Sequence, residues 1–153
     1  MRISARSEYG LRAMVFLASQ SSLEPVPLER IGREGRIPRP FLAQIMRGLR
    51  RAGLVASVRG YRGGYLLTRS GSLITVREVV ETLEEDLSLA ICLMTRQPAA
   101  ACPASQFDSC LTRVFWQRAR QALTEMMDRT TLADLAPPGA PVTAEAIGEI
   151  VGT

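Results

Sequence analysis

Pro38-Arg39-Pro40-Phe41-Leu42-Ala43-Gln44-Ile45-Met46-Arg47-Gly48-Leu49-Arg50-Arg51-Ala52-Gly53-Leu54-Val55-Ala56-Ser57-Val58-Arg59-Gly60-Tyr61-Arg62-Gly63-Gly64-Tyr65-Leu66-Leu67-Thr68 is the stretch on which the fold turns. Placed at about 100° per residue, Phe41, Leu42, Ile45, Met46, Leu49 and Ala52 share one arc of roughly 140°. Arg39, Pro40, Ala43, Gln44, Arg47, Arg50 and Arg51 occupy the other side. One face is therefore core, and the other offers Arg and Gln. Gly53 ends the helix, and residues 54–58 and 65–68 read as short strands around a basic, glycine-rich tip, Arg59 to Gly64.

Before this unit, residues from about Ser4 to Ser19 read as a helix whose middle, Ala13 to Ala18, is apolar all round and so buried, while its start carries Arg6, Ser7, Glu8 and Tyr9. Pro27 suits a first helical position, and Leu28 and Ile31 mark a short helix that stops near Gly35. After the hairpin, Thr75-Val76-Arg77-Glu78 has the capping-box form, followed by Val79, Val80 and Leu83 at helical spacing and closed by Glu84-Glu85-Asp86. Residues 91–109 hold Pro98, Pro103 and three successive alanines, and read as a loop. A long helix returns from Cys110 or Leu111 to Arg129, with Leu111, Val114, Phe115, Ala119, Ala122, Leu123 and Met126 on one stripe. Thr131 to Leu135 adds one turn, and Ala136 to Pro141 ends the packed part.

The expected fold is mainly α with a small β-hairpin. A winged helix-turn-helix spans residues 1–75, a linker helix, cysteine loop and dimerisation helix span 76–135, and a flexible tail spans 136–153. The chain of 153 residues and 16.7 kDa, 46% hydrophobic, has room for one such domain with a helical extension. With no run of eighteen apolar residues and no signal-peptide pattern at the start, a soluble cytoplasmic protein without a membrane partner is expected. Histidine is absent, which removes the commonest acid/base group and every imidazole metal ligand, and argues against an enzyme.

The net charge of +4 hides a division. Residues 1–75 carry 13 Arg against 4 acids, and residues 76–153 carry 6 Arg against 11 acids. Between Gly35 and Arg77 there is no Asp or Glu, whereas Arg36, Arg39, Arg47, Arg50, Arg51, Arg59, Arg62 and Arg69 all fall there. Such a block suits an anionic partner. Duplex DNA is the reading adopted: Arg39, Gln44 and Arg47 near base edges in a major groove, Arg59 and Arg62 reaching phosphates or the minor groove. A solvated basic helix beside an unrelated hairpin is the competing interpretation.

Cys92, Cys102 and Cys110 form C-x9-C-x7-C within 19 residues. From the residues alone they are small apolar side chains in a partly packed loop, a redox-switch disulfide, or soft ligands for a metal. Zinc lacks both its paired spacing and histidine here; iron–sulfur clusters also take thiolates.

The chain resembles the Rrf-type winged-helix transcription regulators, with their IscR-like and NsrR-like branches, from about Met1 to Leu135. The resemblance rests on Ser7-Glu8-Tyr9-Gly10-Leu11-Arg12-Ala13-Met14, Gly53-Leu54-Val55, the wing Val58 to Leu67, and Cys110-Leu111-Thr112-Arg113-Val114-Phe115-Trp116. It implies a homodimer on a palindromic operator, paired through the long helix. It also implies an iron–sulfur cluster held by Cys92, Cys102 and Cys110, with [4Fe–4S] preferred over [2Fe–2S]. Glu8 stands where the NsrR-like branch has an aspartate ligand and is chosen as fourth ligand over Asp108. Four features depart from the family pattern: the cysteine separations are longer, Arg113 replaces a histidine ligand of the IscR-like branch, Arg62 replaces a wing glycine, and Ala43 replaces a glutamate. The expected function is a transcription regulator, such as a repressor, that senses redox, nitric oxide or iron status. The alternatives are a cluster-free thiol-switch or partner-binding repressor, and a zinc-containing or enzymatic protein that shares only the wing.

Overall fold

The computed structural model describes residues 4–20, 24–84 and 112–136. The element order is α1 (Ala5–Ala18), α2 (Leu28–Glu34), α3 (Arg39–Arg51), β1 (Val55–Val58), β2 (Gly64–Leu67), a 3₁₀ turn at Gly71–Leu73, α4 (Val76–Leu83), α5 (Arg113–Arg129) and α6 (Leu132–Leu135). The helix starts are chemically marked. Ser4 caps α1 by accepting from the Ser7 amide, and Thr75 and Glu78 form a reciprocal capping box on α4. Thr131 and Asp134 do the same for α6, where no capping box was expected. Pro27 proves to be the N-cap of α2 rather than its first helical residue.

One shared core joins α1 through α4, the hairpin and α6. Met14 and Leu17 of α1 meet Ile31 of α2, Leu42, Ile45, Met46 and Leu49 of α3, and Val55 and Leu67 of the hairpin. Ile74, Val79, Leu83 and Leu132 complete it, so α4 and α6 pack onto the same apolar centre as the helix-turn-helix. Close approach of α1 to α4 requires Gly10, because a Cβ there would run into the Leu83 side chain. The chain end is stitched back by main-chain hydrogen bonds, from the Val76 amide to the Thr130 carbonyl (2.8 Å) and from the Leu132 amide to the Ile74 carbonyl (3.0 Å). Leu132 is fully buried. Leu132→Ala should therefore lower the unfolding free energy by about 2–4 kcal/mol, read by urea denaturation, although the residue lies some sixty positions beyond the wing. A change within 0.5 kcal/mol would show that α6 does not belong to the cooperative unit.

The amphipathic reading of α3 needs one correction. Leu42, Ile45, Met46 and Leu49 are buried as expected, but Phe41 and Ala52 are exposed. The core covers α3 from Leu42 to Leu49 and leaves Phe41 and Ala52, on one edge of the arc, in water.

Candidate nucleic-acid interface

The connection between α2 and α3 is tight. The Ile37 amide donates to the Gly32 carbonyl (2.8 Å) and the Gly35 amide to the Ile31 carbonyl (2.9 Å). Any Cβ on Gly35 would sit 2.9 Å from that same Ile31 oxygen, so the turn needs glycine for space. The left-handed position falls instead on Arg36, at φ 51°, a conformation costing an L-residue about 1–2 kcal/mol. This turn sets the angle at which α3 leaves α2, with its apolar face inward and Arg39, Gln44 and Arg47 outward.

Arg39 opens α3 and is largely exposed, with Nη2 3.5 Å from Oε1 of Glu29. An ion pair that open to water holds Arg39 only loosely and leaves it free to swing to another anion. Gln44 and Arg47 are exposed farther along the same face. Phe41 stands beside them at 48% exposure, its ring centroid 6.0 Å from that of Tyr9, over which the Arg12 guanidinium lies at 5.9 Å. Sequence reasoning placed Phe41 in the core and so missed it as an exposed ring on the candidate face. It lies three residues before Gln44, about 60° away around the helix, and that edge position was the available signal.

The hairpin pairs Val55 with Leu67 through Val58 with Gly64, antiparallel. Its tip is closed by the Gly63 amide donating to the Gly60 carbonyl at 2.9 Å, with Gly60 at φ +122°. Val26 bridges Tyr65 in both directions (2.8 and 2.9 Å), anchoring the base of the wing to the segment before α2. Arg50 donates to the Ser57 hydroxyl (3.1 Å), tying the end of α3 to β1. The helix and the wing are thus held as one surface, with Arg59 and Arg62 exposed on the hairpin tip.

Charge is distributed unevenly over the molecule. Among the described residues the ion pairs engage Arg12, Arg33, Arg39, Arg69 and Arg77, and none engages Arg47, Arg59 or Arg62. The face made by α3 and the wing keeps its positive charge, as a phosphate-binding surface must.

Glu8 lies exposed in the first turn of α1, paired with Arg12 (2.8 Å), both side chains being about half exposed. Cys92, Cys102 and Cys110 lie outside the described residues, as do Asp108 and Leu111. Among the described residues no group of three or more metal-ligating side chains converges. Glu84, the last described residue before the cysteine segment, accepts from the Ser4 amide at 2.7 Å. Burial pushes its carboxyl pKa up, but hydrogen bonds from Ser4 and Ser7, with the charge of Arg6, outweigh that and hold it below the ordinary value. A depressed folded pKa means the carboxylate stabilises the fold at neutral pH and ceases to do so as pH falls through that pKa. Glu84→Gln should accordingly be less stable than the parent by about 1 kcal/mol at pH 7, with the gap closing in acid once the carboxyl is protonated. Parallel denaturation curves at neutral pH and in acid test this; a gap independent of pH would rule it out.

α5 is exposed along most of its length. Val114 is 53%, Phe115 62% and Met126 58% exposed, Ala119 and Leu123 are partly covered, and Met127 is the one buried residue of the helix. Met127 packs with Val76 and Val80 of α4. The Phe115 and Trp116 rings meet edge to face at 5.0 Å. No helix among the described residues is long and apolar enough to cross a membrane.

Comparison with known proteins agrees with this geometry. The family profile described as Rrf2, iron-dependent transcriptional regulator, matches residues 3–138. The HTH-type transcriptional regulator IscR of Klebsiella pneumoniae (strain 342) is 36% identical over 135 residues, covering 88% of this chain and 79% of that protein. Among solved structures, CymR, the global cysteine regulator of B. subtilis, superposes with a TM-score of 0.71 at 33% identity, covering 89% of this chain and 96% of that one. IscR of T. potens gives a TM-score of 0.70 at 32% identity, covering 88% and 85%. These relatives are transcription regulators, a non-enzymatic role.

Proposed function

The chain belongs to the Rrf2 family of transcriptional regulators, and from that premise we propose that it is a homodimeric, cytoplasmic regulator that reads a palindromic duplex operator and responds to redox, nitric oxide or iron status. Arg39, Gln44 and Arg47 enter the major groove, where Arg matches the guanine edge and Gln the adenine edge, and Arg59 and Arg62 meet phosphates or the minor groove. Residues 1–75 supply this DNA-binding unit, residues 76–135 the signal-receiving and pairing part, and residues 136–153 the tail. The observation that carries the reading is the shared surface of α3 and the wing, on which Arg47, Arg59 and Arg62 lack acidic partners among the described residues. Pairing through α5 is supported by its uncovered apolar residues.

Cys92, Cys102 and Cys110 with Glu8 would hold an iron–sulfur cluster, [4Fe–4S] rather than [2Fe–2S]. The donor set fits: three soft thiolates fall within 19 residues, and a carboxylate whose partner among the described residues is a surface arginine can exchange it readily. Bound there, the group supplies an iron centre open to oxygen, nitric oxide or iron depletion. Glu8 lies on α1, which packs directly on α3, so a change of partner at Glu8 occurs next to the recognition helix. A second reading, a metal-free thiol switch, is supported by the equally good superposition on CymR and by the missing histidine.

Anaerobic purification followed by absorption spectroscopy and iron, sulfide and zinc analysis separates these readings. Binding of the holo and apo proteins to a randomised duplex pool tests the regulator itself. Equal binding of every duplex by both forms would falsify it.

A further inference from the structure

Tyr61 is at 105% of its reference exposure, the most exposed large apolar residue of the described chain, and it touches no part of the core. The fold gains nothing from an aromatic ring held wholly in water. Its backbone is nevertheless fixed. Tyr61 and Arg62 are the two central residues of the turn closed by the Gly60 carbonyl and the Gly63 amide (2.9 Å). Behind that turn, a Cβ on Gly63 would strike the carbonyl oxygens of Val58 and Gly60, and one on Gly64 the Val26 carbonyl. The tip is therefore a narrow, pre-shaped projection carrying one exposed ring, with the exposed Arg59 and Arg62 on either side of it in sequence. The nearest acids in sequence are Glu34 and Glu78, and both are paired with arginines.

We propose that Tyr61 is a DNA contact of the wing: its ring lies against the deoxyribose wall of a minor groove, and its hydroxyl donates to an acceptor on the groove floor. The inference rests on the DNA-binding reading above and adds a contact that charge does not explain. Arginines at the tip account for attraction to phosphate, whereas a neutral ring gains from phosphate alone very little. A minor groove about 6 Å wide admits a hairpin tip but not a helix, and its walls are apolar sugar edges. A ring with two rotatable angles on a closed turn loses little entropy on docking. Arg62 beside it favours the narrow, more negative groove of A·T-rich sequence. The preference should accordingly be for A·T pairs under the wing.

The test uses the full-length protein and an operator selected by the parent from a random duplex pool, with fluorescence anisotropy as readout across a salt series. Tyr61→Ala should weaken binding by about tenfold with the salt slope unchanged, because no charge is lost. Arg62→Ala should weaken binding and lower the slope by about one. Replacing the A·T pairs under the wing by I·C, which keeps the minor-groove pattern, should preserve the parent's advantage over Tyr61→Ala; G·C, which adds an amino group to the floor, should abolish it. Parent-like binding by Tyr61→Ala overturns the proposal. So does a reduced salt slope for that variant, since the ring would then act only by placing the arginines. If the parent selects no sequence at all, the DNA-binding reading fails, an outcome distinct from selective binding that ignores Tyr61.

Discussion

Phe115→Glu is expected to yield a monomer and to weaken binding to a two-half-site operator by about 10²–10⁴-fold, the factor by which linking two sites raises avidity. α5 rests on α4 through Met127, while Phe115 and Met126 lie about 100° around the helix from that contact and stay in water. With Ala119 and Ala122, which lie between them on the same side, they make an apolar strip on one helix, the kind of surface a monomer rarely exposes without a partner. A second copy of the same strip, related by a two-fold axis, matches the symmetry of a palindromic site. A buried glutamate at the centre of that contact would lack a cation to pair with, and dissociation relieves it. Gln117→Glu adds the same charge on the opposite side of α5 and should leave the dimer intact. Sedimentation velocity at micromolar concentration reads both variants. A parent that sediments as a monomer, or a Phe115→Glu protein that remains a dimer, would refute pairing through this strip.

The parts legible in the sequence are those in which a local pattern and the tertiary environment agree. In α3 the spacing of Leu42, Ile45, Met46 and Leu49 is both helical and core-facing, and the glycines at 60 and 63 answer to conformational and steric demands of the turn itself. Thr75 and Glu78 announce α4 because a capping box is complete within four residues. What escaped was set by distant packing. Phe41 has the hydrophobicity of a core residue and nearly the right phase, but it sits at the edge of the apolar arc, and the core closes over its neighbour Leu42 and not over it. Leu132 reads as part of a trailing turn, yet strand-like bridging between Thr75 and Thr131 carries it back to the centre. Val26 carries no signal that it will extend the wing, because its partner Tyr65 is about forty residues away in sequence. For the DNA face the basic block between Gly35 and Arg77 was informative, since composition reports charge without needing geometry. The partners of that charge were not legible: only the fold shows Arg69 drawn to Glu78 while Arg47, Arg59 and Arg62 enter no ion pair among the described residues.

Cys110→Ala, and equally Cys92→Ala or Cys102→Ala, should lose most of the iron and sulfide of the anaerobically purified protein, whereas Glu8→Ala should retain them with a changed absorption spectrum and a shorter lifetime in air. The difference follows from ligand chemistry. Three thiolates bind iron strongly and leave one position to fill, and neither a histidine nor Arg113 can fill it. A carboxylate is the harder, weaker ligand, so its loss loosens the site without emptying it. Recruiting Glu8 requires giving up its bond to Arg12, and a half-exposed pair of this kind is worth about 0–1 kcal/mol. Arg12→Ala should therefore leave iron content unchanged, a control that separates the role of Glu8 as ligand from its role in the ion pair. If Glu8→Ala matches the parent in spectrum, lifetime and DNA affinity, the fourth ligand lies elsewhere, with Asp108 next to be substituted. If the parent itself carries no iron when kept from air but forms a disulfide among Cys92, Cys102 and Cys110 on oxidation, with DNA affinity following the disulfide, the thiol-switch reading replaces the cluster.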